Sequence, residues 1–231
     1  MKTVDAPGLG ADVRLRSLLT ALHLASPALP VGGFAYSQGL ETAAANGIVH
    51  DAASAQRWIG DLLCLVVARF EAPLWLHAFD AFAVGDLTRF NAINGELLAA
   101  RETAELRAES LQMGASLCRL LPALGVEAPA HACLVYPAAF AAASSRLGVD
   151  REAGLTAYLW SWVENQVLAA VKIVPLGQQA GQSMLHALHG AILQAVQTAS
   201  TLPDAELGTA AVGFALCSAQ HESLYSRLFR S

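Results

Sequence analysis

Between Ser26 and Ala43 the sequence SPALPVGGFAYSQGLETA collects two prolines, paired glycines, two aromatics and a Ser-Gln-Gly turn. These are residue types from which phosphate cradles and catalytic loops are built. A Walker-type loop requires G-x-x-x-x-G-K-[ST], because its lysine reaches the terminal phosphates. Here Gly32-Gly33 runs into Phe34, and no lysine lies between Lys2 and Lys172. A dinucleotide fingerprint fails too, for want of a preceding strand and of the G-x-G-x-x-G spacing. Ser37 lies in no nucleophile-elbow sequence. Glu41 is the only formal charge between Arg16 and Asp51, four residues after Ser37 and able to share its helix face. An isolated carboxylate in apolar sequence is either a buried hydrogen-bonded anchor or a contact for a partner. Pro30, Gly32, Tyr36, Ser37, Gln38 and Glu41 thus read as a shaped joint between two helices.

Two further stretches carry unusual chemistry. In KIVPLGQQAGQ, Lys172 to Gln182, Pro175 removes a backbone donor and Gly177 admits a sharp turn. Gln178 and Gln182 then open a helix whose free N–H groups favour acceptors; the stretch is either a solvated turn or a partner-facing site. In HESLYSRLFRS, His221 and Glu222 lead into Tyr225, Arg227, Leu228, Phe229 and Arg230. Arg and aromatic side chains are interface hot-spot types, so this tail either binds a partner or packs back on its own domain. His186 and His189 stand at i, i+3, a spacing that can place two imidazoles on one metal. No third ligand lies nearby in sequence, and no metal site is expected. Cys64, Cys118, Cys133 and Cys217 form no C-x-x-C pair and are expected to be reduced, partly buried core residues.

Helices must position these groups. The periodicity predicts one through Leu15, Leu18, Leu19 and Leu22 that ends before Pro27. A short one follows from about Tyr36 to Asn46-Gly47. Asp51 is placed to cap a strong helix through Phe70, and Pro73 to start another through Phe82. Gly85-Asp86 opens the next. Glu102 to Leu121 carries Leu106, Ser110, Met113, Leu117 and Leu120 on one face, with Glu105, Arg107, Glu109 and Arg119 on others. An Ala-rich helix ends at Leu147-Gly148. Asp150 caps a long helix stopped by Pro175. One more covers about Gln178 to Thr198, and Pro203 opens a last one to about Gln220. No β-rich alternating run appears. The expectation is all-α, a single domain of about nine or ten helices over residues 12–231, with a flexible N-terminus over 1–11.

Composition narrows the function. The chain of 231 residues is 55% hydrophobic and only 14% charged, against a usual charged share of about 25%. A net charge of −5 argues against nucleic acid. The apolar runs Leu62 to Ala68 and Ala132 to Ala143 are shorter than the roughly 20 residues of a spanning helix, and no signal peptide is visible. A cytoplasmic protein outside the membrane is expected. Twelve Arg against two Lys fits a protein that binds proteins.

Three stretches together resemble the urease accessory protein UreF family: LLTALHLASPALPVGGFAYSQGLETA its N-terminal signature, LWSWVENQVLAAVKIVPLGQQAGQ its central one, and HESLYSRLFRS its end. RETAELRAESLQMGASLCRLL fills the place between the first two, so the likeness runs from about Leu15 to Ser231. A small departure falls at Gly33-Phe34-Ala35, where members often carry a Ser.

The resemblance implies an all-helical, homodimeric protein with no active site and no stably bound cofactor. It would assist nickel insertion into apo-urease, binding UreD (UreH in some species) and recruiting the GTPase UreG. Nickel would pass through the assembly without stable ligands on this chain. Carried over, Tyr225 to Ser231 would contact UreD. Lys172, Pro175, Gly177, Gln178 and Gln182 would face the GTPase or the metal path. Two other readings stay open. One is a GTPase-activating regulator in which Lys172 or an Arg acts on phosphoryl transfer. The other is a helical enzyme with a pocket lined by Tyr36, Glu41 and histidines.

Overall fold

The structure is a computed structural model describing residues 9–127, 129, 133–209 and 211–231. Among them there is no strand, and the chain is all-α as the periodicity predicts. Helix α1 (Leu9–Ala25) begins within the stretch expected to be flexible, whose residues 1–8 lie outside the described residues. It is followed by α2 (Leu40–Ala45) and α3 (Ala52–Ala83). Next come α4 (Leu87–Ala99), α5 (Ala104–Leu120), α6 (Tyr136–Arg146) and α7 (Arg151–Ile173). Helices α8 (Gln178–Ala187), α9 (His189–Thr201) and α10 (Val212–His221) complete the order.

The expected caps form. Asp51 accepts the Ser54 amide at 2.7 Å while Ser54 Oγ accepts the Asp51 amide at 3.0 Å, a reciprocal box that starts α3. Asp86 Oδ1 accepts from the Arg89 amide, and Asp150 Oδ1 from the amides of Glu152 and Ala153. Helix α5 starts from Thr103, one residue beyond the expected Glu102.

Three predicted boundaries move. Pro73 does not start a new helix: it lies inside α3, just after a π-helical segment, Leu63–Glu71. The Arg69 carbonyl, four residues back, is deprived of a donor by the proline ring and accepts the Gly208 N–H at 3.3 Å instead. That contact holds the later chain against α3, so Pro203 opens only a 3-10 turn, Asp204–Glu206, and α10 waits until Val212. The predicted helix from Gln178 is broken at Leu188 into α8 and α9.

Helix α6 is the centre. Every residue from Pro137 to Ser144 is buried, as expected of a helix apolar all round and enclosed by others. The second half of α3, α5 and α7 pack around it. Its alanines let neighbours come close: a Cβ on Gly114 of α5 would strike the Leu134 carbonyl just before α6. Trp75, Phe79, Tyr136, Phe140 and Tyr158 fill the remaining space as an aromatic cluster. Helix α3 is long and apolar enough to cross a membrane, yet 67% of its most apolar window is buried in this domain.

The leucine stripe of α1 faces the other way from what its pattern suggests. Leu15, Leu18, Leu19 and Leu22 are more than half exposed, and the residues packed inward are Ser17, Ala21, Leu24 and Ala25. Small side chains let α1 lie close on α7, leaving the larger ones outside. Beside them runs an apolar groove of about 630 Å³ lined by Leu18, Leu22, Ala153, Ala157 and Trp160. Cys64 and Cys118 are partly buried and Cys217 buried, whereas Cys133 is exposed, contrary to expectation; all four are free.

Candidate functional site

The loop after α1 is bent by left-handed residues. Gly32 has φ +83°, and Gln38 and Gly39 follow at +53° and +77°. Gln38 is the only non-glycine residue with positive φ among the described residues, a conformation that costs an L-residue about 1–2 kcal/mol. Its contacts offset that cost. Nε2 donates to Glu109 at 2.6 Å, Oε1 accepts from Trp162 Nε1 at 2.8 Å, and the backbone N–H donates to the Ser231 carbonyl at 3.0 Å. Gly39 lies against the Ser218 backbone of α10, where a Cβ would come within 3.1 Å. Pro30 is exposed, whereas Tyr36 and Ser37 are buried. The Tyr36 hydroxyl donates to Gln112 at 2.7 Å.

The tail closes on this loop. Ser37 donates to the Ser231 carbonyl through both its amide (2.8 Å) and its hydroxyl (2.5 Å). The Arg230 amide donates to the Ala35 carbonyl at 2.9 Å. Glu41 accepts the amides of Leu228 and Phe229 at 2.6 and 3.0 Å. It also meets His221 Nε2 at 3.2 Å, while His221 Nδ1 lies 2.6 Å from Glu105. The two carboxylates thus face opposite nitrogens of a fully buried imidazole. Arg227 reaches the other oxygen of Glu105 at 2.7 Å. Glu41 is therefore an anchor for its own chain's tail, and both its oxygens are taken.

The tail packs back and still presents a surface. His221 and Phe229 are buried, whereas Glu222, Tyr225, Arg227, Leu228 and Arg230 are exposed. Leu216 and Val212 of the preceding α10 are exposed as well. Lys172 in the last turn of α7, Pro175 and Gly177 on the turn that follows, and Gln178 and Gln182 in α8 are also exposed. Lys172 Nζ stands 5.8 Å from the centre of the Phe229 ring. Loop and tail thus meet at one place, and the central stretch reaches it through Lys172.

Beneath them lies a buried polar layer that sequence reasoning assigned to helix surfaces or passed over. Glu105, Glu109 and Gln112 stand at i, i+4, i+7 on α5, a spacing that signals one shared face, which runs from the half-buried Glu105 through the buried Glu109 to the exposed Gln112. Glu109 is 5% exposed and accepts from Ser231 Oγ at 2.7 Å. Burial pushes its carboxyl above the ordinary range, against the lowering effect of the Ser231 and Gln38 hydrogen bonds and of Arg101. Arg101 pairs with Glu71, which also accepts from the Tyr158 hydroxyl at 2.5 Å. Burial works against the Arg101 charge, but Glu71 more than restores it. Burial and the Glu71 carboxylate both hold the Tyr158 hydroxyl in its protonated form.

No group of three or more His, Cys, Asp or Glu side chains able to hold a metal occurs among the described residues. What the arrangement does is lock a tail to a loop and shape the face above them.

A family model for UreF matches residues 49–189, and full-length relatives extend the likeness over the loop and the tail. The urease accessory protein UreF of Cupriavidus taiwanensis is 50% identical over 227 residues, covering 94% of this chain and 99% of the relative. That of Azoarcus sp. is 49% identical over the full length of both. The chain belongs to the UreF family. A bifunctional urease accessory protein UreEF of Bordetella bronchiseptica is 48% identical over 224 residues, and the match spans 52% of that longer protein. The UreF relatives are named as accessory proteins to urease, and the docked tail is thus a feature of a UreF chain.

Proposed function

We propose that this UreF chain is a maturation scaffold for urease: it binds UreD (UreH in some species), recruits or regulates the GTPase UreG, and so supports nickel delivery to apo-urease. It performs no catalysis of its own, and nickel is cargo passing through the assembly. The observation that carries this reading is the exposed tail held in place by the loop, with Lys172 at the edge of the central turn beside it. Tyr225, Arg227, Leu228 and Arg230 give that face the apolar-and-arginine chemistry of protein interfaces. UreD binds across the tail, and the Lys172–Gln182 turn beside it serves UreG.

Co-purification with UreD and UreG tests the assignment. Removing residues 222–231 is expected to abolish UreD retention while the helical core stays folded by circular dichroism. Normal retention by the folded, truncated chain would sink it. The same preparation separates scaffold from activator: UreG turnover stimulated by this chain alone and lost in Lys172→Ala would move the reading to GTPase activation.

The homodimer is proposed through the outer face of α1. A stripe of exposed leucines and an apolar groove beside it lie on the same face. A two-fold axis lets each copy's stripe enter the other's groove. Leu18→Asp with Leu22→Asp is expected to give a folded monomer, read as a halved mass by light scattering. A dimer of unchanged affinity would place the interface elsewhere.

A further inference from the structure

His186 and His189 are used by nothing described above. His186 lies in the last turn of α8 and His189 opens α9, so the break at Leu188 lies between them. Their rings touch, with centroids 4.9 Å apart and planes at 69°. Both residues are exposed, and neither ring nitrogen takes part in a hydrogen bond or ion pair among the described residues. His189 is backed by Trp160, 5.5 Å away between ring centres. Trp160 is itself oriented by its Nε1–H donating to Glu164 at 3.2 Å. One imidazole is thus held by packing, which reduces the side-chain entropy lost when a ligand orders the pair.

We propose that His186 and His189 form a two-imidazole, solvent-open site for a divalent transition-metal ion of the nickel and zinc class, with water in the remaining positions. Neutral imidazole suits these ions, and two nitrogens about 2.0–2.1 Å from one metal require ring centres about as close as these stand. With only two protein ligands, the site captures and releases rather than stores. The proposal is independent of the scaffold reading, because it concerns the isolated chain and needs no partner.

Titration of the purified chain with NiCl2 or ZnCl2 alone, followed by calorimetry and by fluorescence, tests it. One ion per chain is expected. His186→Ala and His189→Ala should each weaken binding by at least about tenfold, the low end of what the loss of even an outer-shell partner does. The double variant should not bind. Nickel is expected to quench part of the tryptophan emission, and Trp160→Phe should remove that part. Because both histidines are exposed, the variants should keep the parent's circular dichroism and melting temperature. Absence of saturable binding up to about 1 mM, a free energy of only about −4 kcal/mol, would overturn the proposal. So would a double variant that titrates like the parent, or quenching that survives Trp160→Phe.

Discussion

Replacing Arg101 by methionine is expected to destabilise the domain by about 3–5 kcal/mol, the usual consequence of removing one member of a buried ion pair. The Arg101 side chain is 18% exposed and its partner Glu71 only 8%. Methionine matches the length of the arginine stem but leaves the Glu71 carboxylate with a single donor, the Tyr158 hydroxyl. It also removes a positive charge that works against the upward push of burial on the Glu109 carboxyl. Chemical denaturation read by far-UV circular dichroism measures the loss directly. The control is the double variant Glu71→Gln with Arg101→Met, expected to recover much of it because no buried charge is then unpaired. A single variant within 1 kcal/mol of the parent, roughly what an exposed pair contributes, would show that solvent reaches this layer freely.

The tail should come loose when Glu41 becomes alanine. Hydrogen bonds to a charged acceptor contribute about 1.5–3 kcal/mol each, and Glu41 accepts two from the tail backbone besides meeting His221. Without it, the Leu228 and Phe229 amides face no acceptor, and His221 keeps only Glu105. Hydrogen exchange at those two amides is expected to accelerate by at least about 100-fold, with the helical core unchanged. Protease sites at Arg227 and Arg230 should open together. If the scaffold reading holds, UreD retention falls as well, because Tyr225 and Leu228 are then no longer presented in fixed positions. Unchanged exchange at Leu228 and Phe229 would show that Ser37, Gln38 and Arg230 hold the tail by themselves.

Much of the fold was legible because it rests on local chemistry. Asp51, Asp86 and Asp150 announced their helices, since a cap needs only an acceptor within three residues of free amides. Pro73 misled because its disruptive effect depends on what replaces its missing donor, and that donor comes from Gly208, far along the chain. The leucines of α1 misled for a related reason. A periodic apolar face records that burial is needed, not whether the covering surface belongs to the same molecule.

The site was legible in part. Glu41 stood out as a lone charge in apolar sequence, and it holds the Leu228 and Phe229 amides of its own chain's tail. Its counterpart did not stand out: Glu105 and Glu109 look like ordinary surface charges on a helix that also carries arginines. Only the return of the tail from more than 100 residues away turns them inward.

By itself, the sequence determined that this is an all-helical chain with three unusual stretches and no nucleotide loop, and its signatures marked the family. Helical periodicity, capping and missing motif residues are properties of neighbours in sequence. Tertiary structure alone decided that the tail is tied to the loop through Glu41, Ser37 and Gln38, that Lys172 of the central stretch stands over Phe229 of the tail, and that Glu71, Arg101 and Glu109 lie beneath them. Those contacts join residues far apart in the chain, and their strength comes from burial, which no local pattern specifies.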